Sequence, residues 1–247
     1  MKRLFFLFLF IPLFILNVHS LGYGIPRSKD NEPPYPGDAI DELIKKHNAF
    51  YIGDRNSNDI YLTFDTGYEL GYSNIILDIL KEENVKAAFF ITGDFINRNP
   101  DLVIRMKDEG HLVCNHTLTH PDITKLSYDD LKHELEEVEK LYHDLTGDNL
   151  CRYLRPPRGM LSEESLKMTD ELGYTQIFWS LAYVDWLTDN QKGKDYAYDS
   201  VISRIHNGAI ILLHTVSVDN KDALKDIIVK LKENYEFQTL DHLLMRI

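Results

Sequence analysis

Two short segments of this sequence place reactive side chains directly after apolar runs. The run "IYLTFDT" ends on Asp65 and Thr66, and the run "HLVC" leads into "NHTLTH", which contains His116 and His120. Histidines four residues apart lie on one side of a helical turn, where two imidazoles can bind one cation. The alternative is a turn on which two surface histidines meet by chance. The position between an apolar run and Pro121 favours a metal site.

Three further segments carry side chains that could bind a substrate or transfer protons. The prolines of "LRPPRG" make a rigid turn that holds Arg155 and Arg158. Asp185 and Trp186 follow the run "QIFWS", and His214 ends the run "AIILLH". Each has an ordinary alternative: solvated arginines in an exit loop, a tryptophan of the core, and a core histidine whose hydrogen bonds are satisfied.

Segments typical of strands and of helices alternate from about Asp59 onward. The strand candidates are "IYLTFD", "AAFFITG", "HLVCNHT", "YLRPP", "QIFWS", "AIILLH" and "FQTLDHL". The helix candidates, in which apolar residues recur at three and four, are "SNIILDILKEEN", "SYDDLKHELEEVEKLYHDL", "SEESLKMTDELG", "AYDSVISRIH" and "DNKDALKDIIVKLKEN". Ser127 with Asp130, and Ser162 with Ser165, are typical of helix starts.

This alternation predicts a parallel sheet in one α/β, barrel-like domain. In parallel barrels the chemistry takes place at the carboxyl ends of the strands. The successive strand candidates run into Asp65, His116, Arg155, Asp185 and His214. We therefore expect these side chains to meet at one rim of the barrel.

The composition excludes some partners. The chain has 27 lysines and arginines against 39 aspartates and glutamates, which gives a formal net charge of -12. Such an acidic chain has no electrostatic reason to bind nucleic acid or anionic lipid.

The N-terminus is typical of an export signal. A basic start, "MKR", precedes the apolar run "LFFLFLFIPLFIL", and "NVHS" offers small residues for cleavage after Ser20. The alternative is an uncleaved membrane anchor, and in both cases the domain works outside the cytoplasmic membrane. We expect a signal peptide at 1–20, an extended proline-rich arm with a short helix at 21–58, and the α/β domain at 59–247.

Neither the cysteines nor the one glycosylation sequon near the histidines changes this interpretation. Cys114 and Cys151 are expected to be free buried thiols, although one disulfide is possible in an exported protein. The sequence Asn115-His116-Thr117 is a sequon, but a glycan there would block the rim.

Taken together, the five segments resemble the polysaccharide deacetylases, the NodB-homology family also called carbohydrate esterase family four. The resemblance runs in order from about Asp59 to the C-terminus, and only the five motifs together are specific. The matching residues are Asp65 and Thr66; His116 and His120; Arg155, Pro157 and Gly159; Asp185 and Trp186; and Leu213 and His214.

The resemblance implies a single distorted (β/α)7 barrel at 59–247 and a metal-assisted hydrolysis of an acetamide. It implies that Asp65 is the general base, that His214 is the general acid, and that His116 and His120 bind the metal. Arg155 would pair with Asp65, and Asp185 would pair with His214. The implied substrate-binding residues are Arg158, Trp186, Gly159 and Leu213.

One position departs from the family pattern. Most members have a second aspartate, the third metal ligand, where this chain has Thr66. A hydroxyl is a weaker ligand than a carboxylate, so we expect a divalent metal, zinc in the first place, to be weakly bound.

The departure also resembles one branch, the de-N-acetylases that produce muramic δ-lactam in the spore cortex. The branch implies peptidoglycan glycan strands as partner and N-acetylmuramic acid without its peptide stem as substrate. Arg158 is then a partner for the lactyl carboxylate. We also expect a monomer.

Other functions remain open at this stage. They are a deacetylase of peptidoglycan N-acetylglucosamine or of chitooligosaccharides, an inactive glycan-binding relative, and a wall peptidase. A zinc peptidase would need a signature such as HExxH, and "HTLTH" has no glutamate.

Overall fold

The computed structural model describes residues 20–245, so the predicted signal peptide lies outside the described residues except for Ser20. The described strands are β1 (Leu21–Gly22), β2 (Ala49–Phe50), β3 (Asp59–Thr66), β4 (Ala88–Ile91), β5 (Leu112–Asn115), β6 (Cys151–Leu154), β7 (Met160–Leu161), β8 (Thr175–Ile177), β9 (Ile210–His214) and β10 (Glu236–Gln238). The described helices are α1 (Asp38–Lys46), α2 (Ser73–Glu82), α3 (Gly93–Arg98), α4 (Pro100–Asp108), α5 (Tyr128–Thr146), α6 (Glu163–Glu171), α7 (Lys194–Ile202), α8 (Val218–Leu231) and α9 (Leu240–Met245).

The main sheet is a curled parallel sheet in which β3 pairs with three other strands. Its strand order is β10-β3-β4-β5-β6-β8-β2, and β9 pairs with β3. Tyr61 of β3 pairs with both Gln238 and Ile210, so β10 and β9 lie on opposite sides of β3. A bridge between Leu181 and Ile211 brings the chain after β8 back to β9. The prediction of a distorted α/β barrel is confirmed.

The alternation of β3 explains how an acid comes to stand at the end of a buried strand. Ile60, Leu62 and Phe64 pack in the large core between the sheet and its helices, whereas Tyr61 packs in a second core inside the barrel. Successive side chains of a strand point to opposite faces, so Asp65 follows Tyr61 onto the interior face. The strand therefore delivers one carboxylate to the inner edge of the barrel.

All seven predicted strands are present, and the differences concern helices. The last strand candidate extended to Leu243, but β10 ends at Gln238 and residues 240–245 form α9. α3 and α4 were not predicted: α3 has only six residues, and Pro100 separates it from α4, although Thr92 caps α3 through its side chain. The helix starts at Ser127 and Ser162 are confirmed: Ser127 accepts from Asp130 N, and Ser162 with Ser165 forms a capping box.

The proline-rich arm is bound to the domain at its start, from Leu21 to Ile25. β1 pairs antiparallel with β7, and Tyr23 belongs to a third core that contains Ile44 of α1 and Phe178. Within the described residues, no helix is both long and apolar enough to cross a bilayer. The arm thus adds a layer to the side of the barrel that carries the "RPPRG" turn.

Candidate active site

The centre of the rim is an ion pair between Asp65 and Arg155. Arg155 is fully buried, and its Nη1 donates to Asp65 Oδ1 at 3.0 Å. The rest of the guanidinium donates to the carbonyl oxygens of Ile177 and Phe178, at 3.0 and 3.3 Å, and lies 4.2 Å from the ring centroid of Phe90. These contacts fix the guanidinium in place, and Asp65 is the carboxylate with which it forms an ion pair.

The charges around Asp65 keep it ionised. Burial would raise the pKa of this carboxyl group, but its interactions with His116, with the guanidinium of Arg155 and with His214 together outweigh burial and lower it. Only a tenth of the side chain is exposed. Asp65 therefore stands at the rim as a carboxylate with Oδ2 left free of the arginine.

His116 and His120 meet, but not on a helix as their spacing predicted. Residues 116–120 form a loop in which both Thr117, at φ 69°, and His120, at φ 60°, are left-handed. The loop is held from inside: Asn115 Oδ1 accepts from Thr117 N at 2.8 Å, and Thr117 Oγ1 accepts from His120 N at 3.1 Å. The two imidazole centroids lie 4.9 Å apart. The two histidines that the spacing paired do lie close together, but they do so in a loop and not on a helical turn.

Both imidazoles are neutral and available as ligands. His116 Nδ1 donates to the carbonyl oxygen of Arg155 at 2.8 Å, which leaves a lone pair on Nε2, 3.6 Å from Asp65 Oδ2. Burial is the main cause that lowers the pKa of His116. Burial and the neighbouring His116 also lower the pKa of His120 to about 4. A cation would therefore not have to displace protons at neutral pH.

The third position of the expected metal set is Thr66. Its hydroxyl is buried and has no hydrogen-bond partner within residues 20–245. In the same range, no group of three His, Cys, Asp or Glu residues could hold a metal ion. Two neutral imidazoles and one unpartnered hydroxyl fit a divalent cation, but they supply no negative ligand.

A second fixed pair lies at the end of β9. His214 Nδ1 and Asp185 Oδ1 are 2.7 Å apart, and Asp185 Oδ2 accepts from His214 N at 2.8 Å. Asn220 donates to Asp185 Oδ2 at 2.5 Å and to His214 O at 3.2 Å. The imidazole is thus oriented from both its ring and its backbone.

The pair keeps His214 protonated to higher pH than a free histidine. Removal from water would lower its pKa, but the carboxylate of Asp185, with a smaller contribution from Asp65, raises it. The rim therefore holds a carboxylate with a lowered pKa and an imidazole with a raised pKa on neighbouring strands, since Asp65 of β3 pairs with His214 of β9.

The "RPPRG" turn exposes one arginine and buries the other. Arg158 is exposed, has a left-handed backbone at φ 58°, and lies close enough to affect the pKa of His120. Among residues 20–245 it forms no salt bridge. Gly159, at φ 63°, allows close packing, because a Cβ there would lie 2.8 Å from Trp179 and 3.2 Å from Tyr23 Cβ.

The other predicted substrate-binding residues have different surroundings. Trp186 is 48% exposed, and its ring centroid lies 5.4 Å from that of His214, so it is not a core residue. Leu213 is fully buried in the core between sheet and helices. Its side chain packs beneath the strand end that carries His214, and its contact with substrate stays a prediction. Gly159 is also buried and acts through the shape of the turn.

The structure adds three residues that sequence reasoning missed. Asn220 holds the Asp185–His214 pair, and Asn115 holds the histidine loop while it donates to Tyr174 Oη at 2.8 Å. Tyr23 N donates to Gly159 O at 2.8 Å, and Tyr23 Oη donates to Trp179 O at 2.5 Å. The "SVDN" helix start was the available signal for Asn220, whereas the contacts of Tyr23 and the Asn115–Tyr174 contact join distant parts of the chain.

The side-chain environments settle two smaller predictions. Cys114 and Cys151 are free thiols on register-paired positions of β5 and β6, although Cys151 is only partly buried. Asn115 is fully buried with its amide group hydrogen-bonded, so its surroundings leave no room for a glycan.

The sequence of this chain matches a family model and several known proteins. The family model described as "Polysaccharide deacetylase" matches residues 52–177. The chain is 49% identical over 225 residues to the peptidoglycan-N-acetylmuramic acid deacetylase PdaA of Bacillus subtilis strain 168, covering 91% of this chain and 86% of that protein.

Solved structures agree with the sequence comparison. The structure of B. subtilis PdaA, a family 4 carbohydrate esterase, matches with a TM-score of 0.89 and 47% identity over 92% of this chain and 97% of that one. A family 4 carbohydrate esterase from Bacillus anthracis matches with a TM-score of 0.78 and 42% identity over 92% and 97% of the two chains.

Proposed function

Because this chain belongs to the polysaccharide deacetylase family, whose members are metal-dependent hydrolases, we propose that it de-N-acetylates peptidoglycan at N-acetylmuramic acid that lacks its peptide stem. The likeness to PdaA over nine-tenths of the chain supports this substrate. The observation that carries the choice of sugar is the exposed Arg158 beside His120, since a lactyl carboxylate is present on muramic acid alone.

The proposed substrate lacks a peptide stem because formation of the δ-lactam product needs a free lactyl carboxyl group. Hydrolysis frees an amine on the sugar, and that amine can close onto the unsubstituted lactyl carboxyl group to give muramic δ-lactam. A stem peptide would occupy that carboxyl group. The substrate lies in the cell wall or spore cortex, which agrees with an export signal at 1–20.

The first step of the proposed mechanism belongs to Asp65. Its carboxylate takes a proton from the attacking water as the water oxygen bonds to the acetamide carbon. Arg155 holds Oδ1, so Oδ2, which lies on the His116 side, is the atom that receives the proton. Gly159 N donates to Pro156 O, which leaves Arg158 N–H as our candidate donor to the developing oxyanion.

The second step belongs to His214. An amine anion cannot leave at neutral pH, so the C–N bond breaks as the imidazolium gives its proton to the sugar nitrogen. Acetate and a free amine result. Asp185 keeps His214 charged and oriented for this transfer.

The residues that would hold the metal are His116, His120 and Thr66. Polarisation of the acetamide carbonyl is the chemistry that a divalent cation supplies in such a site. We propose zinc, weakly held, because the hydroxyl of Thr66 replaces the carboxylate of the common two-histidine, one-carboxylate set.

Thr66→Asp should bind zinc at least about tenfold more tightly than the wild-type protein, which is about 1.4 kcal/mol. The added carboxylate supplies the missing negative ligand. Calorimetric zinc titration measures this, with Thr66→Asn as the uncharged control of similar shape. Equal zinc affinity in wild type and Thr66→Asp would mean that another group completes the site.

Arg158→Gln should lose about 10–100-fold of its preference for N-acetylmuramic acid over N-acetylglucosamine, because a hydrogen bond to a charged group contributes about 1.5–3 kcal/mol. The comparison uses acetate release from both kinds of oligomer, so the second sugar controls for damage to the turn. Arg158→Lys keeps the charge and should retain part of the preference. An equal loss on both sugars would show that Arg158 only shapes the turn.

Asp185→Asn should move the alkaline limb of the pH–rate profile to lower pH. The carboxylate of Asp185 raises the pKa of His214, so without it the imidazolium loses its proton at lower pH, and activity that needs this proton falls earlier as pH rises. The profile of kcat/KM against pH reports the shift. An alkaline limb at the wild-type position would remove His214 from the role of acid.

One observation favours a second candidate, an inactive glycan-binding relative. Thr66 removes a carboxylate from the metal site. The intact Asp65–Arg155 and Asp185–His214 pairs count against this candidate, since a binding module has no use for a fixed base and acid. Release of acetate from peptidoglycan separates the two.

A further inference from the structure

The loop that follows Asp65 and Thr66 presents two apolar side chains to solvent at the rim. Tyr68 is 74% exposed and Leu70 is 49% exposed. Neither contributes to a core, and exposing them costs the hydrophobic stabilisation that burial would give. Exposed apolar side chains at this rim are available for contact with a ligand.

The loop is fixed rather than loose, and Glu69 fixes it. One carboxylate oxygen accepts from Gly71 N and from Ser73 N, the latter at 3.3 Å, and the other accepts from the hydroxyl of Ser73. Ser73 is fully buried at the start of α2. Glu69 therefore turns inward to cap a helix, which leaves Tyr68 and Leu70 pointing outward in a defined position.

The position of Tyr68 relative to the catalytic pair is also defined. A Cβ on the preceding Gly67 would lie 3.6 Å from Thr92, at the end of β4, and Tyr68 contributes to the electrostatic environment of Arg98 on α3. The loop that follows Thr66 therefore lies on the β4 side of β3. Trp186 lies on the opposite side, against His214 of β9.

Two exposed aromatic side chains therefore flank the Asp65–His214 pair along the strand order β4-β3-β9. Three residues of chain span at most about 11 Å, so the Cα atom of Tyr68 lies no farther than that from the Cα atom of Asp65. A polysaccharide must extend beyond the sugar that reacts. The C–H face of a pyranose ring is apolar and fits the face of an aromatic ring.

We propose that Tyr68 and Leu70 form a second saccharide-binding subsite, which takes the sugar next to the one that is deacetylated. The proposal rests on the proposed function, because it assumes a glycan substrate. It assigns to this loop the preference for a polymer over a single acetylated sugar.

The test measures binding separately from catalysis. A stem-free tetrasaccharide of alternating N-acetylglucosamine and N-acetylmuramic acid is titrated by calorimetry into the full chain that carries Asp65→Asn, so that the sugar is not consumed. Tyr68→Ala in this background should raise Kd about tenfold, as expected for loss of one large apolar contact. Tyr68→Phe keeps the ring and should stay within about twofold.

Tyr35→Ala is the matched control, because Tyr35 is also 48% exposed but lies in the arm, where it hydrogen-bonds Asp38. It should leave Kd unchanged. Equal Kd values for Tyr68→Ala and its parent would overturn the subsite, as would a tetrasaccharide that fails to bind the parent.

Acetate release by the chain with Asp65 intact is measured on the same tetrasaccharide. A tenfold change in Kd without any acetate release would contradict the proposed function while supporting the subsite. Acetate release together with an unchanged Kd would support the proposed function and contradict the subsite.

Discussion

Asp65→Asn should lower kcat/KM by about 10²–10⁴-fold, the usual contribution of a general base. Asparagine keeps the shape of the side chain and can still accept from Arg155, but it cannot take a proton from water. The loss should be the same on a glycan acetamide and on an aryl acetate, because both need an activated water. Acetate release and ester hydrolysis measure it.

This variant needs a check on folding, since Arg155 is fully buried and loses its counter-charge. Breaking a buried pair costs about 3–5 kcal/mol, so the free energy of unfolding is measured alongside the kinetics. Asp144→Asn, which removes an exposed carboxylate that pairs with Lys140, is the surface control. A folded Asp65→Asn variant with wild-type kcat/KM would exclude Asp65 as the base.

His214→Gln should also lose about 10²–10⁴-fold, but only on substrates with a poor leaving group. An amide nitrogen needs a proton before it can leave, whereas an aryloxide leaves without one. We therefore expect a large loss on the glycan acetamide and a loss below about tenfold on an aryl acetate. The ratio of the two activities is the measurement.

The contrast with Asp65→Asn makes this ratio diagnostic. Loss of the base affects both substrates, and loss of the acid affects one. If His214→Gln lost both activities equally, His214 would serve the attack step or the shape of the site, not departure of the amine. If neither activity changed, the Asp185–His214 pair would have a structural purpose only.

Much of the fold could be predicted because its signals are local. The apolar runs that become β3 and β9 are continuous, as expected for parallel strands buried on both faces. Their ends therefore located Asp65 and His214 at one rim. The helix that begins at Ser162 was equally readable, because its capping residues are three positions apart.

The local shape of the site could not be predicted so well. The spacing of His116 and His120 suggested a helical turn, but Asn115 binds the backbone of the loop and two residues take the left-handed conformation. Local hydrogen bonds from side chains to the backbone overrode the periodicity. The rings still meet, since the fold requires their proximity and not a helix.

Long-range contacts escaped sequence reasoning for a different reason. Tyr23 supports the "RPPRG" turn from more than a hundred residues away, and Asn220 on α8 donates to Asp185, which precedes α7. No periodicity or motif connects such residues. The burial of Leu213 was likewise not foreseen, because its motif indicated a role in substrate binding and not its place in the core.

The measurement that tests the central claim most directly is mass spectrometry of stem-free peptidoglycan fragments after incubation with the purified domain and a divalent metal. We predict the loss of one acetyl group at N-acetylmuramic acid, followed by the loss of one water as the δ-lactam closes. Acetyl loss confined to N-acetylglucosamine, or no acetyl loss from any fragment, would contradict the proposed function.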